Sequence, residues 1–260
     1  QMCIRDRSVH TLPFNSERKV YILDEAHMLS KGAWNALLKT LEEPPAHVVL
    51  ILATTELEKV PDTVRSRCQV FSFKKPTRAG LAALVTDISK KEGFTIDPAA
   101  ADLIGMLGDG SYRDALSVLE KALASSTDKK LTREEAEKAT GAPRHALVHA
   151  LALALSKGDQ AKALETIRAV SEQGIDMQLY LALVLEYLRQ VLLIRHAPEL
   201  GTAIRAELGE DAAAEATALA DAPDSKLTHE TLKRFLEASS RMRFSPVPSL
   251  PLELAVMELG

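Results

Sequence analysis

Lys19-Val20-Tyr21-Ile22-Leu23-Asp24-Glu25-Ala26-His27 is a short apolar run that ends in two adjacent carboxylates. Val20 to Leu23 reads as a strand covered on both faces, because the run is unbroken and of strand length. Asp24 and Glu25 then fall at the strand's carboxyl end, where open parallel sheets bind ligands. Two neighbouring acids are costly there unless a metal or a reaction uses them. In nucleotide-hydrolysing α/β folds one such acid holds Mg²⁺ and a neighbour positions the attacking water. The plainer reading is a strand ending in acids at a helix N-terminus, where the helix dipole favours negative charge.

The flanking sequence supplies more of a sheet. Ser30 is a candidate N-cap, and Trp34, Leu37, Leu38 and Leu41 follow at i, i+3, i+4, i+7, one apolar helix face. Pro44-Pro45 stops that helix. Val48 to Ala53 is a second strand-like run and ends in Thr54-Thr55-Glu56. Pro61 opens a short helix through Arg65, Ser66 and Arg67, and Cys68 to Phe73 reads as a third strand. Alternating strands and helices of this kind predict an α/β sheet layered by helices.

Past Lys75-Pro76 the pattern becomes wholly helical. Leu81, Leu84, Val85 and Ile88 make one stripe, and Pro98 to Leu107 makes another helix. Gly108 and Gly110 break the chain before Ser111, which caps a helix through Ala124. Thr132 with Glu135 predicts a capping box. Pro143 suits the first position of a further helix. Ala161, Leu164, Ile167 and Val170 mark an amphipathic helix ended by Gly174. Met177 to Ile194 is apolar nearly all round, which places it at the centre of a bundle or at a subunit contact. Thr228 to Met242 and an apolar segment ending at Leu259 complete the helices.

Bulk properties narrow the function. The chain has 260 residues, 46% of them hydrophobic and 26% charged, which predicts about two globular domains. A net charge of -4 argues against wholesale electrostatic binding of nucleic acid but leaves room for a basic patch. Aromatics are 4%, too few for a base-stacking platform. Cys3 and Cys68 are too few for a disulfide framework or a four-cysteine zinc site, and a reducing compartment is the simpler setting. No signal peptide is visible and no membrane partner is expected. Gln1 to Arg7 has neither periodicity nor cap signals.

Three further side chains carry candidate chemistry. Thr55 could hydrogen-bond a phosphate or the attacking water. Arg67, in Val64-Arg65-Ser66-Arg67-Cys68, could neutralise charge on a transferred phosphoryl group. Arg113 lies in the first turn of the helix capped by Ser111, where the dipole disfavours a cation, and such rule-breaking is a reason to consider function. The bland alternatives are a strand-ending threonine, a solvated surface arginine, and a cation offset by Asp114.

Together the segments are more specific than apart. KVYILDEAHMLS (19–30), NALLKTLEEPP (35–45), LATTELEKVPDTVRSRCQ (52–69) and GSYRDALS (110–117) resemble the gamma/tau subunit family of bacterial DNA polymerase III, the AAA+ ATPase motor of the sliding-clamp loader. The resemblance implies part of an α/β AAA+ P-loop NTPase sheet domain over 1–76, an all-α lid over 77–142 and an all-α collar over 143–260. It implies that Asp24 and Glu25 are the Walker B acids, for Mg²⁺ and for the hydrolytic water of ATP. Thr55, or Thr54, would be the sensor 1 residue. Arg67 would be an arginine finger aimed at a neighbouring subunit, and Arg113 the sensor 2 residue of the lid. Expected partners are delta, delta-prime and further gamma/tau copies through the collar, the sliding clamp, and primer-template DNA, in a bacterial cytoplasm.

The sequence departs from that family in two respects. It has no G-x-x-x-x-G-K-[ST] run to cradle the β- and γ-phosphates, and no four-cysteine Zn²⁺ module. Both are expected upstream of the Val20 strand, so the chain reads as an N-terminally truncated piece without ATPase activity of its own. A non-hydrolysing delta-prime-type subunit is the nearest alternative. A DEAH-type helicase shares only Asp24-Glu25-Ala26-His27, and a pure scaffold is the non-enzymatic alternative.

Overall fold

A computed structural model describes Val9 and residues 11–126 and 128–259. The segment Gln1 to Arg7, with Cys3, lies outside the described residues. Two compact units result, 1–74 and 75–260.

The first unit is built on a parallel pair, β1 (Lys19–Leu23) and β2 (Val48–Leu52), in register from Lys19↔Val48 to Leu23↔Leu52. The crossover is α1 (Lys31–Glu42), which starts where Ser30 Oγ accepts from the Ala33 N–H at 3.3 Å and ends before Pro44-Pro45. Trp34 of α1 is buried with Ala26, Val60 and Val64, the last from the single turn α2 (Asp62–Arg65). Leu37, Leu38 and Leu41 pack on this small core, so the apolar stripe faces it as its spacing requires.

Two expectations fail here. The β1 run is not covered on both faces: Val20 is 56% and Ile22 68% exposed, and Ile51 of β2 shares their open face. Tyr21 and Leu23 point the other way and are half-buried. The Cys68 to Phe73 segment forms no strand. A strand needs a ladder partner as well as suitable side chains, and none of the described residues pairs with it. Val70, Phe71 and Phe73 are left exposed.

The second unit is helical, with one detail that periodicity did not reveal. Helix α3 (Arg78–Lys91) leads to β3 (Thr95–Ile96), which pairs in parallel with β4 (Lys130–Leu131). Between them lie α4 (Pro98–Leu107) and α5 (Tyr112–Ser125). The turn joining these helices depends on glycine. A Cβ on Gly108 would meet Ala115 Cβ at 2.7 Å, and Gly110 sits at φ +75°. Helix α6 (Arg133–Thr140) begins with the expected capping box: Thr132 Oγ1 accepts from the Glu135 N–H, and Glu135 Oε2 accepts from the Thr132 N–H at 3.0 Å.

The remaining helices are α7 (His145–Lys157), α8 (Gln160–Glu172), α9 (Met177–His196), α10 (Pro198–Leu208), α11 (Glu210–Asp221), α12 (His229–Met242) and α13 (Leu250–Met257). Arg144 is the N-cap of α7, so Pro143 stands one residue before the cap and not at the first helical position. On α8 the buried stripe is Ala163, Thr166, Ile167 and Val170, with Ala161 exposed. By length and a mean hydropathy of 1.4, α9 could cross a membrane. It instead buries Tyr180, Val184, Leu188 and Val191 against α7, α10, α11 and α12, as a bundle centre does. Arg195 near its end donates to the carbonyls of Leu219, Ala220 and Leu227 at 2.8–2.9 Å, satisfying the last turn of α11. One continuous apolar core runs through the unit from Leu81 to Val256.

Candidate functional site

The carboxyl ends of β1 and β2 bring four of the six expected residues together. The main chain fixes them: the Ala53 N–H donates to Leu23 O at 2.9 Å and the Ala26 N–H donates to Ala53 O at 2.8 Å. The sheet ladder thus continues past both strands and holds Asp24-Glu25 beside Thr54-Thr55. Asp24 Oδ1 accepts from the Glu25 N–H at 3.0 Å. Glu25 itself has left-handed backbone, φ 47° and ψ 45°, a conformation that costs a residue with a Cβ about 1 kcal/mol or more. That bend turns its side chain toward β2, where Thr55 Oγ1 lies 3.5 Å from Glu25 Oε2. Asp24 and Glu25 are both exposed.

Thr54 is drawn into a different set of contacts. Its Oγ1 accepts from the Glu56 N–H at 3.0 Å and lies 2.9 Å from His27 Nδ1. Glu56 pairs with Lys59 at 2.7 Å, and that hydrogen bond is the main reason its carboxyl sits below the usual range. His27 and Glu56 were not singled out from the sequence. His27 stood in view only as the last letter of Asp24-Glu25-Ala26-His27, and its contacts with residues 54 and 56 depend on the β1–β2 register.

Arg67 and Arg113 are placed elsewhere. Arg67 follows α2 and is tied within its own chain. Its Nη1 donates to Thr63 O at 2.7 Å and its Nη2 to Glu42 Oε1 at 2.9 Å. Arg113 belongs to the second unit, in the first turn of α5, where Ser111 Oγ accepts from the Asp114 N–H at 3.2 Å. Its side chain is exposed and makes no ion pair with Asp114, since neighbours i and i+1 on a helix do not face each other.

The donor set bears on Mg²⁺. That ion takes few protein carboxylates and completes its octahedron with water and phosphate oxygens. Asp24 offers one carboxylate, exposed at a strand end, with Oδ2 uncommitted among the described residues, and this fits such an ion. Among the described residues no three His, Cys, Asp or Glu side chains converge as a metal cage. The helicase alternative needs a second α/β domain, and among the described residues the second unit contains only the two-residue β3–β4 pair.

Comparison with known proteins adds the family. A model described as DNA polymerase III subunits gamma and tau domain III matches residues 131–260. One for the DNA polymerase III clamp loader subunit, ATPase lid domain, matches 81–128, and one for DNA polymerase III, delta subunit, matches 5–77. DNA polymerase III subunit tau of Bacillus subtilis (strain 168) is 36% identical over 256 residues, covering 98% of this chain and 45% of that protein. DNA polymerase III subunit gamma of Buchnera aphidicola subsp. Schizaphis graminum (strain Sg) is 30% identical over 251 residues, covering 96% and 68%. The chain therefore spans less than half of the first relative and about two thirds of the second. The solved Bacillus subtilis DNA clamp loader delta protein aligns over 99% of this chain and 82% of its own at 17% identity, with a TM-score of 0.41, too loose to carry an argument. On the matches to its sequence, the chain belongs to the gamma and tau subunit family of DNA polymerase III.

Proposed function

We propose that the complete protein is an ATPase motor subunit of a bacterial clamp loader, which uses ATP to place the sliding clamp on primed DNA for DNA polymerase III. The observation that carries this reading is the acid pair at the end of the parallel β1–β2 ladder, with Thr55 Oγ1 3.5 Å from Glu25 Oε2, in a chain of this family. When bound, ATP with Mg²⁺ supplies the reactive phosphoryl group and the counter-charge for its oxygens. Asp24 would hold the ion. Glu25 would orient the water and accept its proton. Thr55, or Thr54, would sense the terminal phosphate, and Arg113 would reach nucleotide held by its own subunit. Arg67 would be presented to nucleotide in a neighbour.

In this reading 1–76 belongs to the AAA+ sheet domain, 77–142 is the lid and 143–260 the collar that meets delta, delta-prime and further gamma/tau copies. The 260 residues contain no phosphate-cradling G-x-x-x-x-G-K-[ST] run, so alone they do not turn over ATP. A non-hydrolysing delta-prime-type subunit is the second reading, favoured by the delta-subunit match over 5–77. The paired acids weigh against it.

The test is hydrolysis by the full-length protein assembled with its partner subunits, clamp and primed DNA. Glu25→Gln is expected to keep ATP binding and lower turnover by about 10²-fold or more, the worth of a general base. Absence of clamp- and DNA-stimulated hydrolysis in the unmodified protein would overturn the motor reading. Equal loss of binding and turnover in the variant would overturn the role of Glu25.

A further inference from the structure

One nearly buried polar side chain at the β1–β2 ends has no role in the reading above. His27 lies on the 3-10 turn Ala26–Met28, and its side chain is 8% exposed. Its Nδ1 lies 2.9 Å from Thr54 Oγ1 and 3.4 Å from Glu25 Oε2, and its Nε2 lies 3.4 Å from Glu56 Oε1. The ring therefore stands between the second acid of the pair and the segment that follows β2.

Proton counting shows what this arrangement does. Thr54 Oγ1 already accepts from the Glu56 N–H, so its own proton is free to donate. A neutral imidazole carries one N–H and one lone pair. With Nε2–H toward Glu56, Nδ1 accepts from the Thr54 hydroxyl, and Glu25 Oε2 faces a lone pair. With Nδ1–H, the ring donates to Thr54 Oγ1 with Glu25 Oε2 3.4 Å from the same nitrogen, and Glu56 faces the lone pair. A neutral ring thus turns an N–H toward one of the two carboxylates at a time and a charged ring toward both, and in either state the place of Thr54–Glu56 fixes where the ring stands beside Glu25.

We propose that His27 is a positioning residue that couples the direction of the Glu25 carboxylate to the segment Thr54–Glu56. A small displacement of that segment moves the Thr54 hydroxyl and the Glu56 carboxylate together, and the ring passes the change to Glu25. This rests on the reading of Glu25 as the residue that orients water. His27 touches neither water nor nucleotide in this account and acts only through Glu25.

The experiment uses the full-length protein in the assembled loader with clamp and primed DNA, and compares His27→Ala, His27→Asn and His27→Gln. The amide of Asn reaches the place of Nδ1, and that of Gln the place of Nε2. His27→Ala is expected to lower kcat about tenfold with ATP binding within about threefold of the unmodified protein, the pattern of a lost orientation and not of lost binding. His27→Asn should recover most of kcat and His27→Gln little of it. In a Glu25→Gln background His27→Ala should cost nothing further, because a residue acting through Glu25 has nothing left to position.

Unchanged kcat in His27→Ala, equal loss in the Asn and Gln variants, or an additive loss in the Glu25→Gln background would overturn the proposal. Should the Ala variant fail to fold, the Asn–Gln contrast decides it. If Glu25→Gln itself keeps full turnover, it is the reading of Glu25 that fails, and the two failures are distinct.

Discussion

Arg67 is a cation with a partner already in hand. Glu42 Oε1 accepts from it at 2.9 Å, and both side chains are partly exposed, 38% and 53%. Such a pair is worth about 0–1 kcal/mol, too little to withhold the guanidinium from a polyphosphate. The carbonyl of Thr63 holds Nη1 from the other side. Glu42 thus holds the guanidinium at the end of α1 without locking it. On the proposed role in trans, Arg67→Ala is expected to lower hydrolysis by the assembled loader about 10³-fold, the lower end for such an arginine, while ATP binding by an isolated full-length subunit is unchanged. Glu42→Gln removes only the competing charge, so hydrolysis should stay within about threefold of the unmodified protein and stability should change by less than about 1 kcal/mol. Steady-state hydrolysis and urea titration read both. The two acids and two threonines were legible because strand ends are marked by where apolar runs stop. Glu42, Glu56 and His27 were not, because their partners lie 25 or more residues away, or across a register that a single sequence does not reveal.

Among the elements, the caps were the most readable feature. Ser30, Ser111 and Thr132 each accept from the N–H three residues on, as their places before apolar stripes require. Their effect is local, and so is the expected cost of losing one. Thr132→Ala should destabilise the second unit by about 1 kcal/mol, seen as a lower melting temperature with the helical signal otherwise intact. The elements that failed were those needing a distant partner. Cys68 to Phe73 has strand-forming side chains but no ladder neighbour among the described residues. The β3–β4 pair is the converse, two residues on each side joined only because the chain brings Thr95–Ile96 and Lys130–Leu131 together. Arg195 shows the same limit. Three carbonyls from residues 219–227 surround its guanidinium, and no local pattern announces that.

At the scale of the molecule, the second unit hides a polar seam beside its apolar core. Arg78 of α3 bonds both carboxylate oxygens of Asp102 on α4 and reaches Glu186 of α9 at 2.9 Å. Arg133 holds Glu137 at 2.9 Å, and the Glu137 carboxylate accepts from the His145 N–H at 3.0 Å. Burial raises the Glu137 carboxyl, with Arg133 opposing. His145 is pushed down to about 4, first by burial and then by Arg133, against the pull of Glu215 at 3.1 Å. Its folded value is therefore below its unfolded one, and the unfolded chain binds more protons between pH 6.5 and about 4. The stability this contributes is complete above pH 6.5 and drains away as pH falls toward 4. Unfolding by urea should show a loss of about 2 kcal/mol from this group between pH 7 and pH 5. His145→Gln should flatten that dependence, and an unchanged slope would show that other groups set it.

On the role proposed for Glu25, its left-handed backbone sets stability and chemistry against each other at one position. Glycine or asparagine would relax that bend and raise the melting temperature of the first unit, at the expense of the carboxylate. Selection for heat tolerance alone would therefore drift toward Glu25→Gly, and a hardened variant of this protein is one whose acid pair has to be inspected before its activity is trusted.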